Sequence, residues 1–262
     1  MCRQEVFFFN HGRVVPGFEE KFNINMIDKN IVVLHGWGAH RQRLAPLVSE
    51  LRNKRWNVFF PKLPGFGGGE LTRAYNLEDY VLQVVNESAK RFAGKKYFVF
   101  GHSFGGRIAI KLSLSDQNLS GLILCASGGI SRGKFIKRAV FYMLAKTGRV
   151  FLFHKPLADR FRKILYKAAR EHDYEKTSGY VKETFKNVAS EDLRKLAKTI
   201  KTPTLILWGK NDKMTPYKDA LYLNRSIKDR ELVSYTNDGH TLPYVEPEEI
   251  SKKIEIWYQN LS

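Results

Sequence analysis

A serine hydroxyl attacks carbon only when a base takes its proton and an acid orients that base. Three positions of this 262-residue chain supply those types in chain order. Ser103 lies in Gly101-His102-Ser103-Phe104-Gly105, Asp212 follows Gly209-Lys210-Asn211, and His240 follows Asn237-Asp238-Gly239. The spacing around Ser103 has a steric reason. A serine on a tight strand-to-helix turn takes a strained backbone, and glycines two residues either side, Gly101 and Gly105, let neighbouring chain approach. The chemistry such a set could perform is acyl transfer, with negative charge developing at a helix N-terminus that favours it.

That charge needs two backbone donors from separate segments. The apolar run Ile31-Val32-Val33-Leu34 leads into His35-Gly36-Trp37-Gly38, a glycine-flanked loop that can offer the Trp37 N–H, and Phe104 supplies the second. His240 is the expected base. His11, His40, His154 and His172 fall in a turn, at a helix start and in a basic segment, His35 belongs to the loop just named, and His102 points elsewhere from the serine turn. Asp238, two residues before His240, is expected to shape that turn. A phosphate-loop reading of Gly128-Gly129-Ile130-Ser131-Arg132-Gly133-Lys134 fails at the next residue, where Phe135 replaces the Ser or Thr that would hold magnesium.

The elements that must hold these residues are legible as apolar runs alternating with helical periodicity. Strand-length runs occur at Ile31–Leu34, Val58–Phe60, Tyr97–Phe100, Leu119–Cys125, Thr204–Trp208 and Leu232–Tyr235. Between them, Arg41–Lys54, Leu77–Phe92, Phe104–Leu114, Tyr217–Ile227 and Glu246–Gln259 repeat apolar residues every three or four positions. The pattern predicts an α/β fold with a mostly parallel central sheet flanked by helices. An antiparallel hairpin or meander, Val6–Asn10 with Phe18–Ile27, is expected before it. After Ser127-Gly128-Gly129 the rhythm breaks for about 70 residues of helical patterning, which we read as an inserted helical cap at 131–200, with 1–130 and 201–262 forming the core.

Composition narrows the classes. With 43% hydrophobic and 13% aromatic residues, the chain can bury a large core, which excludes disorder and fibre. The longest uninterrupted apolar stretch, Ala139–Ala145, is far short of the roughly 20 residues a spanning helix needs. Met1–Glu5 precede too short an apolar run for a secretory signal, so a cytoplasmic protein is expected. Its cysteines, Cys2 and Cys125, cannot form a clustered zinc site, and neither metal nor cofactor is expected. Formal net charge is +18 and concentrates at 131–200, where 18 basic residues face 7 acidic ones. Basic residues alternating with Phe141, Tyr142, Phe151 and Phe153 would suit an anionic membrane surface; a solvated helical face is the plainer reading, and no nucleic-acid motif accompanies the charge.

With His35-Gly36-Trp37-Gly38, Leu63-Pro64-Gly65-Phe66-Gly67, the serine turn and Asp238-Gly239-His240 in place, the sequence resembles the α/β-hydrolase superfamily. Specifically, it is similar to the branch with a His-Gly-x-Gly loop and a helical cap. The resemblance implies a serine hydrolase acting on a small-molecule ester or related acyl bond. Thioester cleavage and carbon–carbon bond hydrolysis use the same residues. A serine at position 103 rather than an aspartate argues against epoxide or halide chemistry. Thr241-Leu242 after His240 departs from the tryptophan that carbon–carbon bond hydrolases often carry. The alternative outside catalysis is a binding protein on this scaffold that docks a partner through its basic cap.

Overall fold

The computed structural model describes residues 29–38, 41–66, 69–130 and 171–261, with the backbone alone at 171–178. The expected N-terminal hairpin, Cys2 and positions 131–170 of the expected cap lie outside them.

Among the described residues, six strands form one parallel sheet in the order β2-β1-β3-β4-β5-β6: β1 (Asn30–Leu34), β2 (Asn57–Phe59), β3 (Tyr97–His102), β4 (Leu119–Cys125), β5 (Thr204–Gly209) and β6 (Arg230–Tyr235). Strand periodicity sorts the core into two layers. Val32, Leu34, Val99, Leu122, Leu124, Ile206 and Trp208 face one side. Their chain neighbours Ile31, Val33, Phe98, Phe100, Ile123, Leu205 and Leu207 face the other. Both faces are covered, which is why the central strands read as continuous apolar runs rather than alternating ones.

On the first face lie α2 (Leu77–Phe92) and α3 (Phe104–Ser115). Helix α2 begins at a reciprocal cap in which the Asn76 side chain accepts from Asp79 N–H and the Asp79 carboxylate accepts from Asn76 N–H. Its buried stripe, Leu77, Tyr80, Val81, Val84, Ser88 and Phe92, follows the helical repeat. Helix α3 is apolar around most of its circumference because it is wedged between α2 and strands β1, β3 and β4. The second face carries α1 (Ala45–Asn53) and, at the end of the chain, Ile250, Ile254, Trp257 and Tyr258 of a helix over Pro247–Asn260.

Within the expected cap segment, α4 (Glu171–Ser190) and α5 (Arg194–Ala197) are described. Val188, Leu193, Ala197 and Ile200 are buried in the first face, so the end of the segment is part of the core. Side chains of α3 and the Tyr75 backbone fasten it. Arg107 donates to the carbonyls of Ala189 and Glu191, and Lys111 bridges Glu78 and Glu191. Tyr75 N–H donates to Thr184 Oγ1 at 2.8 Å. Arg107 is almost wholly buried, and that desolvation pushes its pKa down to about 10 despite the Glu191 and Asp192 charges nearby. Helix α6 (Tyr217–Ser226) follows β5, and α7 (Leu242–Val245) precedes α8, the Pro247–Asn260 helix.

Candidate active site

The sheet order reverses direction between β1 and β3, and the carboxyl ends of strands at such a reversal are where an open α/β sheet is expected to bind ligands. Ser103 sits there, between the last residue of β3 and the first turn of α3, with φ +54° and ψ −109°. This left-handed conformation is costly for a residue with a side chain, on the order of 1–3 kcal/mol, and persists only where the surroundings fix it. The surroundings do so by close approach. A Cβ at Gly101 would stand 2.6 Å from the Gly105 carbonyl oxygen, and one at Gly105 would stand 2.4 Å from that of Leu34. Hydrogen bonds complete the clamp: Gly105 N–H donates to His35 O at 3.1 Å, and Gly128 N–H to Ser103 O at 2.8 Å.

His240 arrives from the loop after β6 and Asp212 from the loop after β5. His240 Nε2 is 3.1 Å from Ser103 Oγ, and its Nδ1 is 2.9 Å from Asp212 Oδ2. The Asp212 side chain is fully buried and every acceptor direction is used. Oδ1 accepts from the N–H groups of Met214 and Thr215 at 2.7 and 2.8 Å; Oδ2 accepts from the Thr215 hydroxyl at 2.7 Å as well as from His240. A carboxylate facing Nδ1 holds the proton on that nitrogen, leaving Nε2 bare toward the serine hydroxyl. Three residues that are 109 and 28 positions apart in sequence thus form one hydrogen-bonded line.

Trp37 follows β1 and Phe104 opens α3. Among the described residues, neither N–H has a hydrogen-bond partner. His35 is buried and donates from Nδ1 to Gly36 O at 2.9 Å, which folds the loop back on itself. Burial pushes the His35 pKa down, only partly offset by that hydrogen bond. Gly36 lies against the serine turn: a Cβ there would be 3.3 Å from Ser103 Cβ. Gly38, with φ +63°, turns the chain out of the loop. The Trp37 ring meets Phe66, Phe104 and Phe185 edge-on, at centroid distances of 4.5, 5.2 and 5.1 Å. This apolar wall stands on the loops after β1 and β2, on α3 and on α4.

The remaining sequence candidates fall outside the line. Asp238 shapes its turn, its carbonyl accepting from Asn211 N–H at 2.9 Å. Cys125 is a buried thiol whose pKa is pushed well up by desolvation. His102, expected to point elsewhere from the serine turn, lies against His240 instead, its ring 4.9 Å away, because β3 ends beside the loop after β6; neither Tyr244, 3.1 Å from His102 Nδ1, nor Thr215 stands out in the sequence as a neighbour of the line. For Thr215 the Asp-x-x-Thr spacing was an available signal, since an aspartate commonly accepts from an N–H three residues on. Among the described residues, no three His, Cys, Asp or Glu side chains cluster as metal ligands would, and no helix is long and apolar enough to cross a membrane.

Comparison with known proteins agrees with this architecture. The AB hydrolase superfamily protein YisY of Bacillus subtilis (strain 168) is 28% identical over 245 residues, covering 86% of this chain and 89% of that protein. A pimeloyl-[acyl-carrier protein] methyl ester esterase of Nitrosomonas europaea is 25% identical over 232 residues, covering 80% and 88%. The crystal structure of MGS-M2, an α/β-hydrolase enzyme from a Medee basin deep-sea metagenome library, superposes with a TM-score of 0.69 over 90% of this chain and 91% of that one; at 18% identity the likeness is one of fold. The profile of the serine aminopeptidase S33 hydrolases matches residues 26–248. Sheet order, serine turn and sequence match together place the chain in that family of α/β-hydrolase enzymes.

Proposed function

We propose that the protein is a serine esterase that cleaves carboxylic esters of small molecules through an acyl-enzyme. The observation that carries this reading is the continuous line from Ser103 Oγ through His240 to Asp212 Oδ2. An esterase among the relatives supports the substrate class. Ser103 Oγ bonds to the acyl carbon while its proton passes to His240 Nε2. Asp212 accepts from Nδ1 and stabilises the imidazolium that forms. The N–H groups of Trp37 and Phe104 donate to the tetrahedral oxyanion. His240 gives its proton to the leaving alkoxide as the carbon–oxygen bond breaks. Water, deprotonated in turn by His240, then attacks the acyl carbon; the bond from that carbon to Ser103 Oγ breaks, His240 returns the proton to Oγ, and the carboxylic acid leaves. No step calls for a metal or cofactor.

Labelling with a fluorophosphonate at pH 7–8, beside Ser103→Ala and His240→Ala, tests the assignment. The expected result is labelling of the wild type, lost in both variants, with turnover of p-nitrophenyl esters. A panel of thioesters, aminoacyl anilides and ring-opened dienones sorts the other bonds this line can cleave. A folded protein that neither labels nor turns over any of them refutes the catalytic reading and leaves a binding protein on a hydrolase scaffold.

A further inference from the structure

His102, the residue before the nucleophile, has a role that the serine, acid and base do not account for. It is buried at the end of β3, and its Nε2 is 2.9 Å from the backbone carbonyl of His240. A carbonyl only accepts, so Nε2 carries the proton. The other nitrogen is then bare, and Tyr244 Oη, 3.1 Å away, donates to it. Tyr244 lies one helical turn beyond His240, on α7, with the Arg43 guanidinium 4.4 Å over its ring. The His102 and His240 rings are 4.9 Å apart. A Cβ on Gly36 would be 3.1 Å from His102 Nδ1, so the loop that carries Trp37 rests on the same imidazole.

This arrangement answers a mechanical need. Strands β3 and β6 are separated by β4 and β5, about 14 Å at ordinary strand spacing, so the loop bearing His240 must reach across two strands to meet Ser103. His102 is joined to Ser103 by a peptide bond and to His240 by a hydrogen bond to its backbone. We propose, building on the assignment of Ser103 and His240 as nucleophile and base, that His102 is a positioning residue. Its Nε2–H braces the His240 peptide, and Tyr244 fixes the tautomer that makes this possible. Burial, and the neighbouring His240, Arg43 and His35, hold its pKa well below the usual histidine value. It therefore stays uncharged when His240 takes the serine proton and does not compete for it.

The test compares two side chains of similar length and volume. His102→Gln retains an N–H where Nε2 stands; His102→Met does not. The brace predicts that Met lowers kcat on p-nitrophenyl acetate about ten- to a hundredfold, the scale of a misplacement approaching 1 Å, with KM within about twofold. Gln should stay within about threefold of wild type in kcat. Tyr244→Phe should lower kcat a few-fold by itself and add nothing to Met, because both act on one hydrogen-bonded unit. Nitrogen-15 NMR of histidine-labelled wild-type protein reads the tautomer directly, with the His102 signals identified by their loss in the Gln variant. This arm does not depend on the Met variant folding.

A persistent Nε2–H tautomer with Gln rescue supports the brace. An Nδ1–H tautomer, equal losses in Met and Gln, or a rise in KM at unchanged kcat overturns it while the esterase reading stands. A wild type that labels with no fluorophosphonate and turns over no ester overturns the esterase reading, and this one with it.

Discussion

Gly105→Ala adds one methyl group at the point where helix α3 presses on strand β1. The new Cβ would lie 2.4 Å from the Leu34 carbonyl oxygen, 2.6 Å from its carbonyl carbon and 2.7 Å from its Cβ. Non-bonded contacts settle at roughly 3.5 Å, so the first turn of α3 must retreat by about 1 Å. Strand β1 cannot yield instead, because it is buried along its whole length and paired on both edges, to β2 and to β3. Overpacking of this kind costs about 3 kcal/mol, which for a chain of this size lowers Tm by roughly 6–12 °C. The displaced turn carries Ser103 and the Phe104 N–H, and a shift near 1 Å in a catalytic constellation costs on the order of a hundredfold in kcat/KM. Gly179→Ala is the matched control. It lies within α4 with nothing inside 4 Å of the added Cβ, so removing a helical glycine should stabilise by about 0.5–1 kcal/mol. The assay is thermal melting by circular dichroism beside p-nitrophenyl acetate turnover and the rate of fluorophosphonate labelling. A Gly105→Ala protein that melts with the wild type and keeps its turnover would show that close packing does not hold the serine turn.

Asp212→Asn should lower kcat about 10⁴-fold at nearly constant KM. The Met214 and Thr215 N–H groups require an acceptor at Oδ1, so the new amide nitrogen takes the Oδ2 place and donates to His240 Nδ1, forcing the proton onto Nε2; a loss below tenfold would count against this account. Stability should fall in mild acid, because His35 and His102 are held uncharged by burial while the unfolded chain protonates near pH 6.5. Between the folded and unfolded values the unfolded state binds more protons, so this stability is complete above pH 6.5. Below it, about 1.4 kcal/mol per pH unit is lost for each histidine kept neutral; urea midpoints that do not drop between pH 7.5 and pH 5 contradict this. Asn76→Ala removes the acceptor that caps α2 and should cost about 1 kcal/mol without changing KM, read from urea melts and ester kinetics.

The strands and the serine turn were legible in the sequence because each follows from short-range pattern. Strand β3 and helix α3 announce themselves as an apolar run, two glycines around a serine, and a second apolar run, and the structure gives Gly101 and Gly105 the close contacts that their types implied. The segment after Gly129 reads as one inserted unit in sequence because helical periodicity alone cannot say what a helix packs on. Leu193 and Ala197 lie in the core beside α3, tied by Leu193 N–H to Gly129 O at 2.8 Å. Thr215 was hidden because a buried hydroxyl in a loop reads as any turn threonine until its carboxylate partner is known.

The sequence by itself determined the residue types and their order, Ser103, Asp212 and His240, each just past the carboxyl end of a strand-length apolar run, since type and order are properties of the linear chain. Only the tertiary structure decided which groups meet. The order β2-β1-β3-β4-β5-β6 brings the loops after β3, β5 and β6 to one edge of the sheet, and distances of 3.1 and 2.9 Å then join three separate residues in one hydrogen-bonded line. The same geometry recruits His102 and Tyr244, whose partners are 138 and 142 positions away in the chain, because hydrogen bonds depend on separation in space and not on spacing in sequence.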